Sequence, residues 1–318
     1  MARAGLFAPS DIGYSAAVME HAGELAAFGT AVFWTASAVF FERSSRRVGA
    51  LAVNFYKVLI AFFLLGAAAY AMRGMALPLD APERAWIYLP ISGLIGFVVS
   101  DTFLFNAYIL ISSRVTVLFQ ALTPVFTALL GFVILGETMR PPRILAMAVV
   151  VAGIALVVGF KGGKASRDGA PRPKGAAKGY LYAFLSAFFQ ALGLVFTKLG
   201  LGGYDAVSGT QIRVMTAILG FAVQALVLGQ ARAVFGSIRE LPAFRDMSIG
   251  AVFGPFLGVV LSLVALQQTS AGAASTLMAL TPVLIIPPSI LFLRQKVRLP
   301  EVIGAVVAVA GAALFFLV

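Results

Sequence analysis

One acid and two bases lie inside long hydrophobic runs, and they are the side chains best placed to do chemistry. Asp101 falls within the apolar run 86–110, Lys57 within 51–71 and Arg213 within 207–229. In hydrocarbon such groups can pair with each other, relay a proton or meet the charge of a ligand. Each costs at least about 2.5–3.5 kcal/mol near mid-bilayer on insertion scales, so none is expected to stand uncompensated. Counted at about 1.5 Å per residue from the shared end of their helices, Lys57 and Asp101 fall within some 5 Å of the same depth. They are expected to pair. The pair either pins two helices together or serves as a proton or substrate-charge site, and both readings stay open. Arg213 stands 156 residues after Lys57, but 158 residues after Asp101 comes Val259. The arginine therefore has no repeat-related acid. It is expected to snorkel toward the loop after the sixth helix, or else to offer a positive end to an anionic group.

Polar and aromatic residues recur at i, i+4, i+7 and i+11, which is one face of a helix. They are Thr30, Trp34, Ser37 and Phe41, then Thr116, Gln120, Thr123 and Thr127, then Ser186, Gln190, Gly193 and Thr197. Asp101, Phe105, Tyr108 and Ser112 add a fourth stripe at similar spacing. An amide left unpaired in hydrocarbon costs several kcal/mol, so Gln120 and Gln190 need partners or water. The stripes are expected to face a central water-filled cavity. Trp34, Ser37, Asp101, Phe105, Tyr108, Gln120, Thr123, Gln190 and Arg213 are the candidate substrate-binding residues. Asn106 points about 140° away from Asp101 around its helix and ranks lower. The competing reading is that Ser and Thr bond back to their own helix and small residues only pack helices.

Composition excludes much else. The 318 residues are 60% hydrophobic and 12% charged, with mean hydropathy +0.97, against about 25% charged in a soluble protein. There is no cysteine and one histidine, His21. Thiol chemistry, disulfides, thiolate metal sites and histidine triads are thereby excluded. No bound metal or cofactor is implied. The net charge of +11 reads as basic loops meeting anionic lipid rather than nucleic acid. No H-E-x-x-H, G-x-S-x-G or nucleotide loop points to an enzyme.

The elements that must position these residues are ten apolar segments near spanning length, at 25–41, 51–71, 86–110, 113–135, 143–160, 179–199, 207–229, 247–267, 270–293 and 301–318. About 20 residues span hydrocarbon, and a lipid-exposed backbone must be helical rather than open strand. The pentapeptide Ala121-Leu122-Thr123-Pro124-Val125 returns as Ala279-Leu280-Thr281-Pro282-Val283, and the same register sets Gly96 on Gly254 and Gly153 on Gly311. Such a repeat divides the chain into an extension (1–24), a first repeat (25–160), a basic linker (161–178) and a second repeat (179–318). Five helices per half is odd, so the second copy must enter the membrane from the opposite side: an all-α integral membrane protein of two inverted five-helix repeats, as in alternating-access carriers. Pro124 and Pro282 should kink helices 4 and 9 at matching points, and Pro287-Pro288 disrupts helix 9 alone. Gly250, Gly254 and Gly258, and likewise Ala148, Ala152 and Ala155, are expected to line close-packing faces. Sixteen of the 24 Lys and Arg fall in the loops after odd-numbered helices. The positive-inside rule then puts those loops in the cytoplasm and both termini outside.

Leu122-Thr123-Pro124-Val125 followed by Leu135-Gly136-Glu137, an Ala/Val/Gly helix ending Ala152-Gly153, the second Thr281-Pro282 and Ala310-Gly311, and the bases Lys57 and Arg213 together carry a resemblance. Over about 25 to 318 the chain resembles the drug/metabolite transporter superfamily, EamA-type branch. The Gly-Glu of the first half is Arg294-Gln295 in the second, a departure from the pattern. The resemblance implies export or exchange of a small metabolite, such as an amino acid or drug-like amphipath, across the inner membrane. Proton coupling through Asp101 is a further expectation, and a passive channel or facilitator is the alternative.

Overall fold

The computed structural model describes residues 22–136, 141–167, 175–268, 277–295 and 297–317. Among these residues every regular element is helical, as a chain without water to satisfy its backbone requires. The helices are α1 Ala22–Val48, α2 Ala50–Arg73, α3 Glu83–Ile111, α4 Ser113–Ile134, α5 Pro141–Arg167, α6 Ala176–Leu201 and α7 Ala206–Val227. After a short helix at Ala231–Gly236, Leu241–Ala251, Val252–Gly258 and Val259–Gln268 run on as α8. Two further helices follow, α9 Thr281–Leu291 and α10 Leu299–Leu317. Among the described residues eight helices, α1 to α8, are long and apolar enough to cross a membrane, and α9 and α10 are shorter apolar helices. The protein is a multi-pass membrane protein.

Several boundaries differ from the sequence reading. Helix α1 runs past residue 41 to Val48, because the acid that follows, Glu42, is buried and bonded rather than solvated. Helix α5 continues to Arg167 and α6 starts at Ala176, so the described parts of the expected linker 161–178 are largely helical. Residues 168–174 of that linker, 1–21 of the extension and 270–276 of the ninth segment lie outside the described residues.

Helix α4 is interrupted as its proline requires. Ala121 and Leu122 bond back three residues, to the carbonyls of Leu118 and Phe119, and the helix restarts at Thr123 with Pro124 in its first turn. The second copy does the same: Leu280 bonds to Leu277, and the helix restarts at Thr281 with Pro282. Pro287-Pro288 adds a further break after Leu284.

Two pairs of equivalent helices from the two halves, α2 with α7 and α5 with α10, pack antiparallel. Arg73, at the end of α2, lies on Ser208 near the start of α7. Gln211, one turn further along α7, donates to the Ala76 carbonyl beyond α2 and faces Gly66. Phe55, early in α2, meets Phe235 beyond the end of α7. Helices α5 and α10 are antiparallel in the same way, with Gly153 against Ala308 and Gly304, and Gly311 against Val150 and Ala146. Across the seam α3 pairs with α6, and α8 with α1. Gly193 allows the first contact, since a Cβ there would lie 2.6 Å from the Gly96 Cα. Gly250, Gly254 and Gly258 make the second, against Phe41, Ser37 and Trp34. Small residues draw helices together in this way.

The alanine face expected on α5 is wrong. Ala148, Ala152 and Ala155 are exposed, and the packed face is Ala146, Val150, Gly153, Ile154 and Val157. Alanine is accepted equally by lipid and by a neighbouring helix, so its spacing does not pick the face.

Each half also carries a π-helical stretch in its third helix, Leu94–Val99 in α3 and Val252–Gly258 in α8. The register that sets Gly96 on Gly254 sets these stretches on each other. π turns re-aim the residues that follow them and occur often at functional sites; Asp101 comes two residues after the first.

Candidate functional site

At the seam between the halves lies a cavity of about 690 Å³, within the range that holds small-molecule ligands. Every candidate binding residue borders it: Trp34 and Ser37 of α1, Asp101, Phe105 and Tyr108 of α3, Gln120 and Thr123 of α4, Gln190 of α6 and Arg213 of α7. Lys57, Pro124 and Pro282 border it too. The helix interruptions after Gln120 and before Thr281 therefore lie at its wall.

The expected ion pair is present. Lys57 Nζ donates to Asp101 Oδ2 at 2.6 Å, and both residues are buried. The ammonium also lies 4.0 Å from the centre of the Phe105 ring, a distance at which the ring's negative face attracts a cation. Asn54 on α2 donates to the Asp101 backbone carbonyl at 3.1 Å. The acid is thus tied to α2 through side chain and backbone together.

Arg213 does not snorkel to the loop. It is 7% exposed, and its guanidinium carbon sits 4.3 Å from the centre of the Phe97 ring. The cause is the neighbouring helix. Gly93 of α3 packs onto the Arg213 backbone so closely that a Cβ there would lie 2.9 Å from its Cα. The side chain then turns along α3 and into the cavity. Its Nε and Nη2 are buried without a hydrogen-bond partner.

The polar stripes divide. The residues above face the cavity, but Thr30, Thr116 and Thr127 bond back to the carbonyls of Ala26, Ser112 and Thr123. Ser186 receives the Gln120 amide at 2.6 Å, and its carbonyl accepts from Ser100. Thr197 bonds Ser92 and the Gly193 carbonyl. Asn106 donates to the Thr102 carbonyl and does not border the cavity. For these side chains the helix-packing reading holds.

Sequence reasoning missed Glu42. Its Oε2 accepts from both the backbone amide and the hydroxyl of Ser113 at 2.6 Å. Its Oε1 takes Arg46 at 2.9 Å and Gln295 at 3.3 Å. Arg46 in turn donates to the carbonyls of Tyr108 and Ile109. One carboxylate thereby joins α1, the α3–α4 junction and the segment between α9 and α10. The i,i+4 pair of Glu42 and Arg46 was the available signal. This knot lies just beyond Phe41, Phe105 and Tyr108, whose rings pack tilted at 5.1 and 5.3 Å between centroids. At the opposite end the cavity wall extends to Thr210, near the start of α7, and to Met278. There Arg73 binds Asp80, Asp205 and Ser208.

A helical membrane protein with a chamber walled by both halves of its chain and bearing buried charges is the class that fold and site define. The model of the EamA-like transporter family matches residues 21–159 and 177–317, so the chain belongs to that family, one copy in each half. No curated protein matches the sequence. A solved structure described as "Crystal structure of protein" is similar in fold, with a TM-score of 0.54 and 20% identity over 92% of this chain and 96% of that one.

Proposed function

We propose that the chain is a secondary transporter that exchanges or exports a small metabolite by alternating access. In this reading it crosses the inner membrane ten times as two inverted five-helix repeats, 25–160 and 179–318, joined by the basic stretch 161–178. The loops after odd-numbered helices lie in the cytoplasm and both termini lie outside, with anionic lipid against the basic loops. The observation that carries it is the convergence of Trp34, Asp101 and Gln120 from one half with Gln190 and Arg213 from the other on a single cavity. The antiparallel packing of α2 on α7 and α5 on α10 supports inversion, since equivalent helices of parallel copies would run the same way. The buried Lys57–Asp101 pair supports proton coupling, because intramembrane acids mark proton relays. A passive facilitator is the alternative, favoured by the absence of a second buried acid among the described residues bordering the cavity.

A thermal-shift screen against metabolite classes identifies a ligand for vesicle assays. Purified protein in liposomes is expected to show saturable uptake that is accelerated by the same ligand on the far side. Uptake linear in concentration with no trans-acceleration would instead indicate a channel.

A further inference from the structure

Arg213 is a buried cation with no ion-pair partner among the described residues, and the acid whose charge reaches it, Asp101, is already held by Lys57. Two bases and one acid border the cavity, and Lys57 already holds Asp101 at 2.6 Å. No carboxylate among the described residues lies within ion-pair distance of the Arg213 guanidinium, and its Nε and Nη2 have no acceptor. Its one close partner is the face of Phe97. A desolvated guanidinium is costly to leave unpaired, and a carboxylate offers it a charge-assisted hydrogen bond from the cavity side. Phe97 beside it, with Phe105 and Trp34 elsewhere on the cavity wall, suits an apolar body.

We propose that the transported ligand is a small organic carboxylate, whose acid group binds Arg213 and whose apolar part lies against these rings. The proposal rests on the carrier reading and names its substrate class. It makes the two bases unlike in role: Lys57 serves the protein's own acid, Arg213 the ligand's. Repeat-equivalent positions thus do different work because only the first half has an acid to match.

The chain's two tryptophans are Trp34 at the cavity and Trp86 near the start of α3, so Trp86→Phe leaves Trp34 as the only indole reporter. This protein is titrated in detergent with 3-phenylpropionate, its amide and 3-phenylpropylamine. The acid is expected to change Trp34 fluorescence saturably and to bind at least about tenfold more tightly than the amide, the factor that one charged hydrogen-bond pair supplies. The amine is expected to bind least. Arg213→Gln should erase the preference of acid over amide while amide binding persists, and Arg213→Lys should restore part of it. The variant's unfolding temperature without ligand should change little, since the lost contact with the Phe97 ring is offset by removal of a buried charge. Equal binding of acid and amide, stronger binding of the amine, or an acid preference that survives in Arg213→Gln would overturn the proposal. Those results with saturable exchange intact in liposomes remove only the substrate class. No saturable response to any of the three probes, together with no trans-accelerated uptake, removes the carrier reading with it.

Discussion

Asp101→Ala is expected to lower stability by about 3–5 kcal/mol, because it strands a buried ammonium. Lys57 has only the Phe105 and Phe41 rings left as partners, and two cations then share one chamber. Removing both members, Lys57→Met with Asp101→Leu, is expected to return stability to the parent value or above it, since well-packed apolar residues replace a buried pair at little or no cost. If the pair only pins α2 to α3, this double variant transports as the parent does. If the pair carries coupling, it folds but no longer accumulates ligand, and Asp101→Asn keeps exchange while losing accumulation driven by a proton gradient. Thermal unfolding in detergent and uptake into liposomes read the two quantities separately. We expect loss of accumulation. Normal accumulation by the double variant would show that Asp101 is structural.

Glu42→Ala carries the next largest effect. The Ser113 amide and hydroxyl would lose their acceptor inside the protein, at about 1–3 kcal/mol for each group left unsatisfied. Arg46 is half exposed and can turn to water, so the loss is expected to come mainly from Ser113. Glu42→Gln still offers an oxygen to Ser113 and should cost less. In the carrier reading this knot seals the end of the chamber behind Phe41 and Tyr108. Glu42→Ala should therefore leak ligand in both directions, with accumulation falling further than binding does. Unchanged accumulation at a lowered unfolding temperature would reduce Glu42 to a helix tie.

The Lys57–Asp101 pair was legible because depth along a helix can be counted in residues, and two charges at one depth leave few choices. The stripes of Trp34, Gln120 and Gln190 were legible for the same reason, as helical periodicity fixes a face. What periodicity cannot fix is which neighbour the face meets. Thr30 and Thr127 share the stripes yet satisfy themselves on their own helices. Between the two directions left open for Arg213 periodicity could not choose, because the outcome depends on how closely Gly93 of another helix approaches. Glu42 was missed because an acid after an apolar run looks like the end of a membrane segment, and only the fold supplies Ser113 to it. The π turns at Leu94–Val99 and Val252–Gly258 have no signature in residue type. The Gly96 and Gly254 match marked their place without revealing the turn.

A carrier of this kind requires two copies of one unit lying opposite ways up. The chain has no cysteine, so single cysteines report without background. Met75, just past α2, and Ala233, just past α7, are both exposed and follow equivalent helices. Met75→Cys and Ala233→Cys, each labelled in intact cells with a membrane-impermeant maleimide, are predicted to react from opposite faces, Met75→Cys from outside and Ala233→Cys only after the membrane is opened. Labelling of both from the same face would contradict the inverted arrangement and the chamber built on it.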